Sequence, residues 1–108
     1  MFAKKKGYRV ERNIRKKLEA RKWKVVRAGA SLGQADLVCI KNKKCILLQI
    51  KSTKKKKFYY YEYLGKTLEG FPFYLVVDFG YGKVRILHPR KIISQNAGMD
   101  FVKFLKNI

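Results

Sequence analysis

Ala35-Asp36-Leu37-Val38-Cys39-Ile40-Lys41-Asn42-Lys43-Lys44-Cys45-Ile46-Leu47-Leu48-Gln49-Ile50-Lys51 holds two short apolar runs separated by a polar tetrapeptide. The runs read as neighbouring strands, 35–41 and 44–51, of a hairpin turned at Asn42-Lys43, because Asn tolerates the left-handed backbone of a tight turn. Asp36, Gln49 and Lys51 stand at strand ends, where an acid, an amide and an ammonium are costly to bury without partners. Side chains alternate along a strand, so residues 49 and 51 share one face. A divalent metal that positions and acidifies a water would supply the missing partner. With a formal net charge of +20, the matching substrate is a phosphodiester.

Outward from the hairpin, Val10, Ile14, Leu18 and the stem of Arg21 recur at helical spacing and predict a helix over 7–22. Its other face is basic: Arg9, Arg12, Arg15, Lys16 and Lys22. Residues 23–28 alternate as a first strand, and 29–34, with two glycines, form a loop. After the hairpin, 52–57 is a lysine-rich loop, and the aromatic run 58–69 opens as a strand and turns helical. Residues 71–79 read as a buried strand with 83–87 as hairpin partner, 90–94 as a short helix after Pro89, and 100–108 as a terminal helix. A helix feeding a meander, followed by a crossover into the same sheet, argues an α/β fold: a central mixed five-stranded sheet flanked by helices.

The 108 residues leave room for one domain and one modest core, and 47% hydrophobic content makes the chain globular. No stretch approaches the roughly 20 apolar residues of a membrane span. The start has charge but no apolar core behind it, so a cytoplasmic protein is expected. Lys and Arg number 27 against 7 acids, an excess that destabilises a compact monomer and calls for a polyanion. Nucleic acid suits it better than membrane, because no basic face is paired with a broad apolar one. Basic structural proteins of ribosomes and chromatin share this balance, so charge alone does not choose an enzyme. Cys39 and Cys45 read as small buried hydrophobes, or as a cross-strand disulfide if the source is a hyperthermophile.

Magnesium takes oxygen ligands, one or two of them carboxylates, and keeps several waters. Asp36 is the first candidate ligand, with the Gln49 side-chain carbonyl and the Ile50 main-chain carbonyl as further oxygens. Lys51 would orient the water or neutralise the transition state, and Glu11 on the first helix could reach the same cluster. Each has a plainer reading alone: Asp36 as a loop cap, Gln49 as a satisfied core amide, Lys51 as a solvated strand end. Glu11 could simply pair with the arginines around it, for about 0.2–0.5 kcal/mol per pair. Only the joint spacing raises the catalytic reading above its parts.

Gly7-x-x-Val10-Glu11-Arg12-Asn13-Ile14, Lys24 to Ala28, Ser31, Ala35-Asp36-Leu37-Val38 and Ile50-Lys51-Ser52 together resemble the archaeal Holliday-junction resolvases, in order over roughly 6–57. These are a branch of the restriction-endonuclease-like nucleases, whose signature is Asp, a gap, and Glu-x-Lys. The resemblance implies that fold and a magnesium-dependent homodimer, with manganese expected to substitute, that nicks opposing strands of a four-way DNA junction. No small-molecule cofactor is implied. Glu11 and Asp36 fall on acidic metal-site positions, Lys51 on the catalytic lysine, Arg12 and Arg27 on basic positions, and Ser31 on the active-site loop. The departure is Gln49, where the family normally has Glu. An amide oxygen can coordinate but removes one negative charge, so weaker metal affinity is expected. Relatives of the Mrr restriction type also use Gln-x-Lys.

Phosphate contacts dominate affinity and carry no sequence information, which suits recognition of a branched shape. Lys5, Lys6, Arg9 and Arg12 on the helix, Arg27, and Lys54, Lys55, Lys56 and Lys57 are the candidate contacts, against the alternative of a solvated rim. The Tyr-rich run 58–64 offers base stacking, a dimer face or core, with core plus dimer contact favoured. Two further functions remain open: a related nuclease with another DNA target, and a non-catalytic DNA- or RNA-binding protein on a decayed nuclease scaffold.

Overall fold

The computed structural model describes residues 2–29 and 32–108, with side-chain surroundings in the first helix from Tyr8 onward. Helix α1 spans Phe2–Glu19, and β1 (Lys24–Arg27), β2 (Leu37–Lys41) and β3 (Lys44–Ser52) follow as an antiparallel meander. The chain then makes β4 (Lys57–Tyr59) and β5 (Thr67–Leu68) before entering β6 (Phe71–Asp78), which lies parallel to β3. Strands β7 (Val84–Leu87), β8 (Ile92–Ser94) and β9 (Met99–Asp100) and helix α2 (Phe101–Lys106) complete it. The main mixed sheet runs β1-β2-β3-β6-β7-β9, with β5 added beside β6, while β4 and β8 pair separately.

Local chemistry sets these elements. Helix α1 buries Val10, Ile14 and Leu18 on one stripe. It ends with Lys22 at φ 73° as Lys22 N–H bonds the Glu19 carbonyl and Trp23 N–H that of Leu18. This is a Schellman closure, and the buried Trp23 joins the same apolar cluster as Leu18. The β2–β3 turn has Asn42 and Lys43 both at positive φ, the two-residue hairpin geometry expected from Asn42. At the other end of the chain, Asp100 caps α2 by accepting from Val102 and Lys103 N–H.

Three sequence expectations change. The main sheet has seven strands where five were expected, because β5 and β9 add short edge pairings. Residues 58–69 form no helix: aromatic side chains favour extended backbone, and the segment gives β4, an irregular run and β5. Residues 90–94 are likewise not helical: 92–94 form strand, since β-branched Ile92 and Ile93 pair with Tyr59 and Phe58. Both helices consequently lie on one face of the sheet, in a core with Leu37, Cys39, Ile46, Leu48, Val76 and Ile86. The opposite face is covered by Tyr60, Ile93 and Ala97 over Leu75, Val77 and Leu87. Cys39 and Cys45 are free thiols on opposite faces of the hairpin, and burial pushes Cys39 up to about 12.

Candidate active site

Asp36 sits one residue before β2, fixed at three points. Its N–H bonds the Leu48 carbonyl at 2.8 Å, its carbonyl accepts from Ala28 N–H at 2.9 Å, and its Oδ2 accepts from Ile50 N–H at 2.7 Å. Register places Leu37 opposite Leu48, so Asp36 faces Gln49 across the hairpin and shares the sheet face of Gln49 and Lys51. Burial raises the Asp36 carboxyl above its ordinary value, with the Ile50 bond and the Lys51 charge opposing and the Glu62 charge reinforcing the rise. Among the described residues no cation contacts Asp36. A half-buried carboxylate without a contacting counter-ion is what a hard cation would satisfy.

Gln49 is buried at 5% exposure and bonded on both sides. Tyr60 O–H donates to its Oε1 at 2.5 Å, and its Nε2 donates to Glu62 Oε1 at 2.9 Å. Burial, with the Glu62 and Asp36 charges, pushes the Tyr60 phenol up to about 12, so it stays a donor at neutral pH. Lys51 Nζ stands 2.7 Å from Glu62 Oε2. That contact, together with the Gln49 bond, holds the Glu62 carboxyl below its ordinary value against partial burial.

The structure thus brings Asp36, Gln49, Ile50 and Lys51 together. Glu11 is ion-paired with Arg27 at 3.0 Å, the Arg27 guanidinium lies over the Tyr8 ring, and the Arg27 charge acts on Asp36. Ser31 and the side chains of Lys5 and Lys6 lie outside the described residues. Arg9 and Arg12 are exposed on α1, Lys54 to Lys56 are exposed on the loop after β3, and Lys57 is exposed at the start of β4. A cleft of about 400 Å³ joins these two regions, lined by Arg9, Asn13, Ser52, Thr53, Lys54 and Tyr81 among others. Among the described residues no three His, Cys, Asp or Glu side chains form a metal cluster.

Sequence reasoning missed Glu62 and Tyr60. The available signal was scarcity: Glu62 is the sole acid between Asp36 and Glu69 in a chain with 7 acids.

A family model described as archaeal Holliday junction resolvase (hjc) matches residues 2–99. The chain belongs to that family. Archaeoglobus fulgidus Hjc, described as a Holliday junction resolvase from an archaeal hyperthermophile, shares the resolvase fold with it at a TM-score of 0.71. The two are 16% identical, over 94% of this chain and 96% of that one. A comparison with curated protein sequences found no match. Among the described residues of this resolvase-family chain, no helix is long and apolar enough to cross a membrane.

Proposed function

We propose that the chain is a magnesium-dependent endodeoxyribonuclease that, as a homodimer, hydrolyses phosphodiesters in opposing strands of a four-way DNA junction. The observation that carries the reading is Asp36 clamped by Ile50 N–H on the sheet face from which Lys51 projects. Asp36 and the Ile50 main-chain carbonyl are the oxygens that would hold the metal. When bound, magnesium supplies a polarised water and neutralises charge on the phosphate.

The protein's own contribution is positional. The three bonds to Asp36 fix its carboxylate before substrate arrives, so no reorganisation is needed during reaction. The Lys51 ammonium, one face-position beyond Gln49, stabilises negative charge as it develops on the phosphate. Its Glu62 contact orients it meanwhile. The exposed arginines and lysines of α1 and the β3–β4 loop hold phosphates on either side of the cleft, a contact set that reads shape and not sequence. Two nicks at a two-fold junction call for two sites, and exposed Tyr59, Tyr61 and Ile92 offer apolar area to a second copy.

The test is incubation with an immobile four-way junction and a matched linear duplex, in magnesium or in chelator. Paired symmetric nicks in the junction alone, only with magnesium, are expected. Asp36→Ala should lower nicking about a hundredfold or more while junction binding stays within about twofold of the parent. Equal cleavage by mutant and parent would remove Asp36 from the mechanism. One observation favours a second reading, a non-catalytic junction-binding protein: both ends of the Gln49 amide are already engaged. Tight, salt-sensitive binding without metal-dependent product would select it.

A further inference from the structure

The amide of Gln49 has one orientation that satisfies its neighbours. An ionised carboxylate only accepts hydrogen bonds, so the group facing Glu62 must be the NH₂, and the carbonyl must turn to the Tyr60 hydroxyl. One lone pair of the carbonyl is then taken by the buried Tyr60 hydroxyl, and as a neutral amide it brings no charge to a cation. The NH₂ meanwhile grips a carboxylate. Glu62 Oε1 lies 2.9 Å from Gln49 Nε2 and its Oε2 lies 2.7 Å from Lys51 Nζ. A carboxylate therefore does stand beside Lys51 on the Asp36 face, carried by the crossover and not by β3.

The crossover is built to hold it there. Tyr60, two residues before Glu62, is 1% exposed and packs with Leu75 and Val77. Tyr63, one residue after, sets its ring edge-on to Phe73 at 5.6 Å between centroids and donates its hydroxyl to the Thr67 carbonyl. Glu62 itself keeps 41% of its side chain exposed, open to solvent and ions. The Glu62 charge also acts against that of Asp36, a repulsion that a shared divalent cation would reverse.

We propose that Glu62 is the second carboxylate of the metal site, taking the place of the acid that β3 lacks at Gln49, with Gln49 and Tyr60 as its positioning residues. The inference rests on the nuclease reading above and names the ligand that reading leaves unfilled. Two carboxylates, a main-chain carbonyl and water make a donor set suited to magnesium or manganese.

The experiment is a manganese titration of the full-length protein without DNA, followed by calorimetry or by the spin resonance of the free ion. Parent, Asp36→Asn, Glu62→Gln and the double variant Gln49→Glu/Glu62→Gln are compared, with thermal melting in chelator as the control for folding. Glu62→Gln should weaken manganese binding about tenfold or more, and the double variant should recover most of it by returning the acid to β3. Tyr60→Phe, which frees Gln49 to turn, should fall between parent and Glu62→Gln. Unchanged manganese affinity in Glu62→Gln would overturn the proposal and mark Glu62 as a mere counter-ion of Lys51. So would a parent whose manganese binding is absent or indifferent to Asp36→Asn. If Glu62→Gln melts early, the double variant decides: recovered binding supports the assignment, and binding as weak as in Glu62→Gln overturns it. Junction nicking measured alongside separates the two readings. A parent that binds manganese through Glu62 yet cuts nothing sinks the nuclease reading alone, whereas Glu62→Gln that nicks and binds like the parent sinks only this one.

Discussion

Asp36 and Glu62 shift in opposite directions, and the signs give them opposite effects on stability. Burial raises the Asp36 value, so the folded state holds that proton more tightly than the unfolded chain. Its contribution favours folding at low pH and is lost as pH rises through the raised value. The Lys51 contact lowers the Glu62 value, so its contribution is present above the ordinary carboxylate range and is lost as pH falls through the lowered one. Asp36→Asn should accordingly melt higher than the parent at neutral pH in chelator, since Asn can keep the Ile50 bond without the charge. With excess magnesium the order should narrow or reverse, because only the parent gains from the ion. An Asp36→Asn protein that melts lower in chelator would show that the carboxylate is not under electrostatic load. At this scale Asp36, Gln49 and Lys51 are legible in the sequence because hairpin pairing and a period of two place them together. Glu62 is not, since nothing in its local pattern ties position 62 to position 49.

The crossover from β3 to β6 is the element that departs most from expectation. Parallel neighbours are usually joined by a helix, and the aromatic run invites that expectation. Yet Gly65 interrupts the helical spacing of Tyr61, Leu64 and Leu68, and Tyr and Phe side chains satisfy themselves better on extended backbone. Strands β4 and β8 then cover the sheet face that a helix would have covered, with Ile93 and Tyr60 as the buried contacts. The run between β4 and β5 depends on Gly65, where an added Cβ would overlap the Tyr63 ring. Gly65→Ala should expel that ring, breaking its packing on Phe73 and its hydroxyl bond, at about 1–3 kcal/mol. Gly65→Ala combined with Tyr63→Ala should cost little more than Tyr63→Ala alone, since both act through one ring. Full additivity in urea unfolding would disprove the coupling. By contrast the β2–β3 hairpin and the β6–β7 pair are legible outright, because turn and periodicity agree there, whereas α1 is legible by its Val10, Ile14 and Leu18 stripe but runs over Phe2–Glu19 and not 7–22, closing before Lys22, which takes positive φ.

For the whole molecule, charge dominates. A chain with formal net charge +20 and exposed Lys54 to Lys57 beside the cleft should bind DNA with a steep salt dependence. Replacing those four lysines by Gln should flatten the slope of log K against log salt by about one for each phosphate left without its lysine. The weakening should be similar for junction and duplex, leaving preference intact. A collapse of junction preference instead would make the loop a reader of branch geometry. Charge is the easiest property to read from sequence and the least specific, as many basic proteins share it. The seven-strand sheet is harder, because β5 and β9 are two-residue pairings that no periodicity announces.

The loop at Lys54 to Lys57 also joins the part of the chain that carries Asp36, Gln49 and Lys51 to the part that carries Tyr60 and Glu62. It is exposed, basic and therefore an open target for trypsin. A single cut there would split the site between two fragments that β3 and β6 still hold together through six paired positions. Nicked protein should thus run as two pieces on a denaturing gel and as one particle in solution. DNA laid across the lysines should slow the cut, so the rate of nicking by protease becomes a footprint of the bound substrate. A cleaved sample that falls apart would mean the loop, and not the strand pairing, keeps the two halves of the site in register.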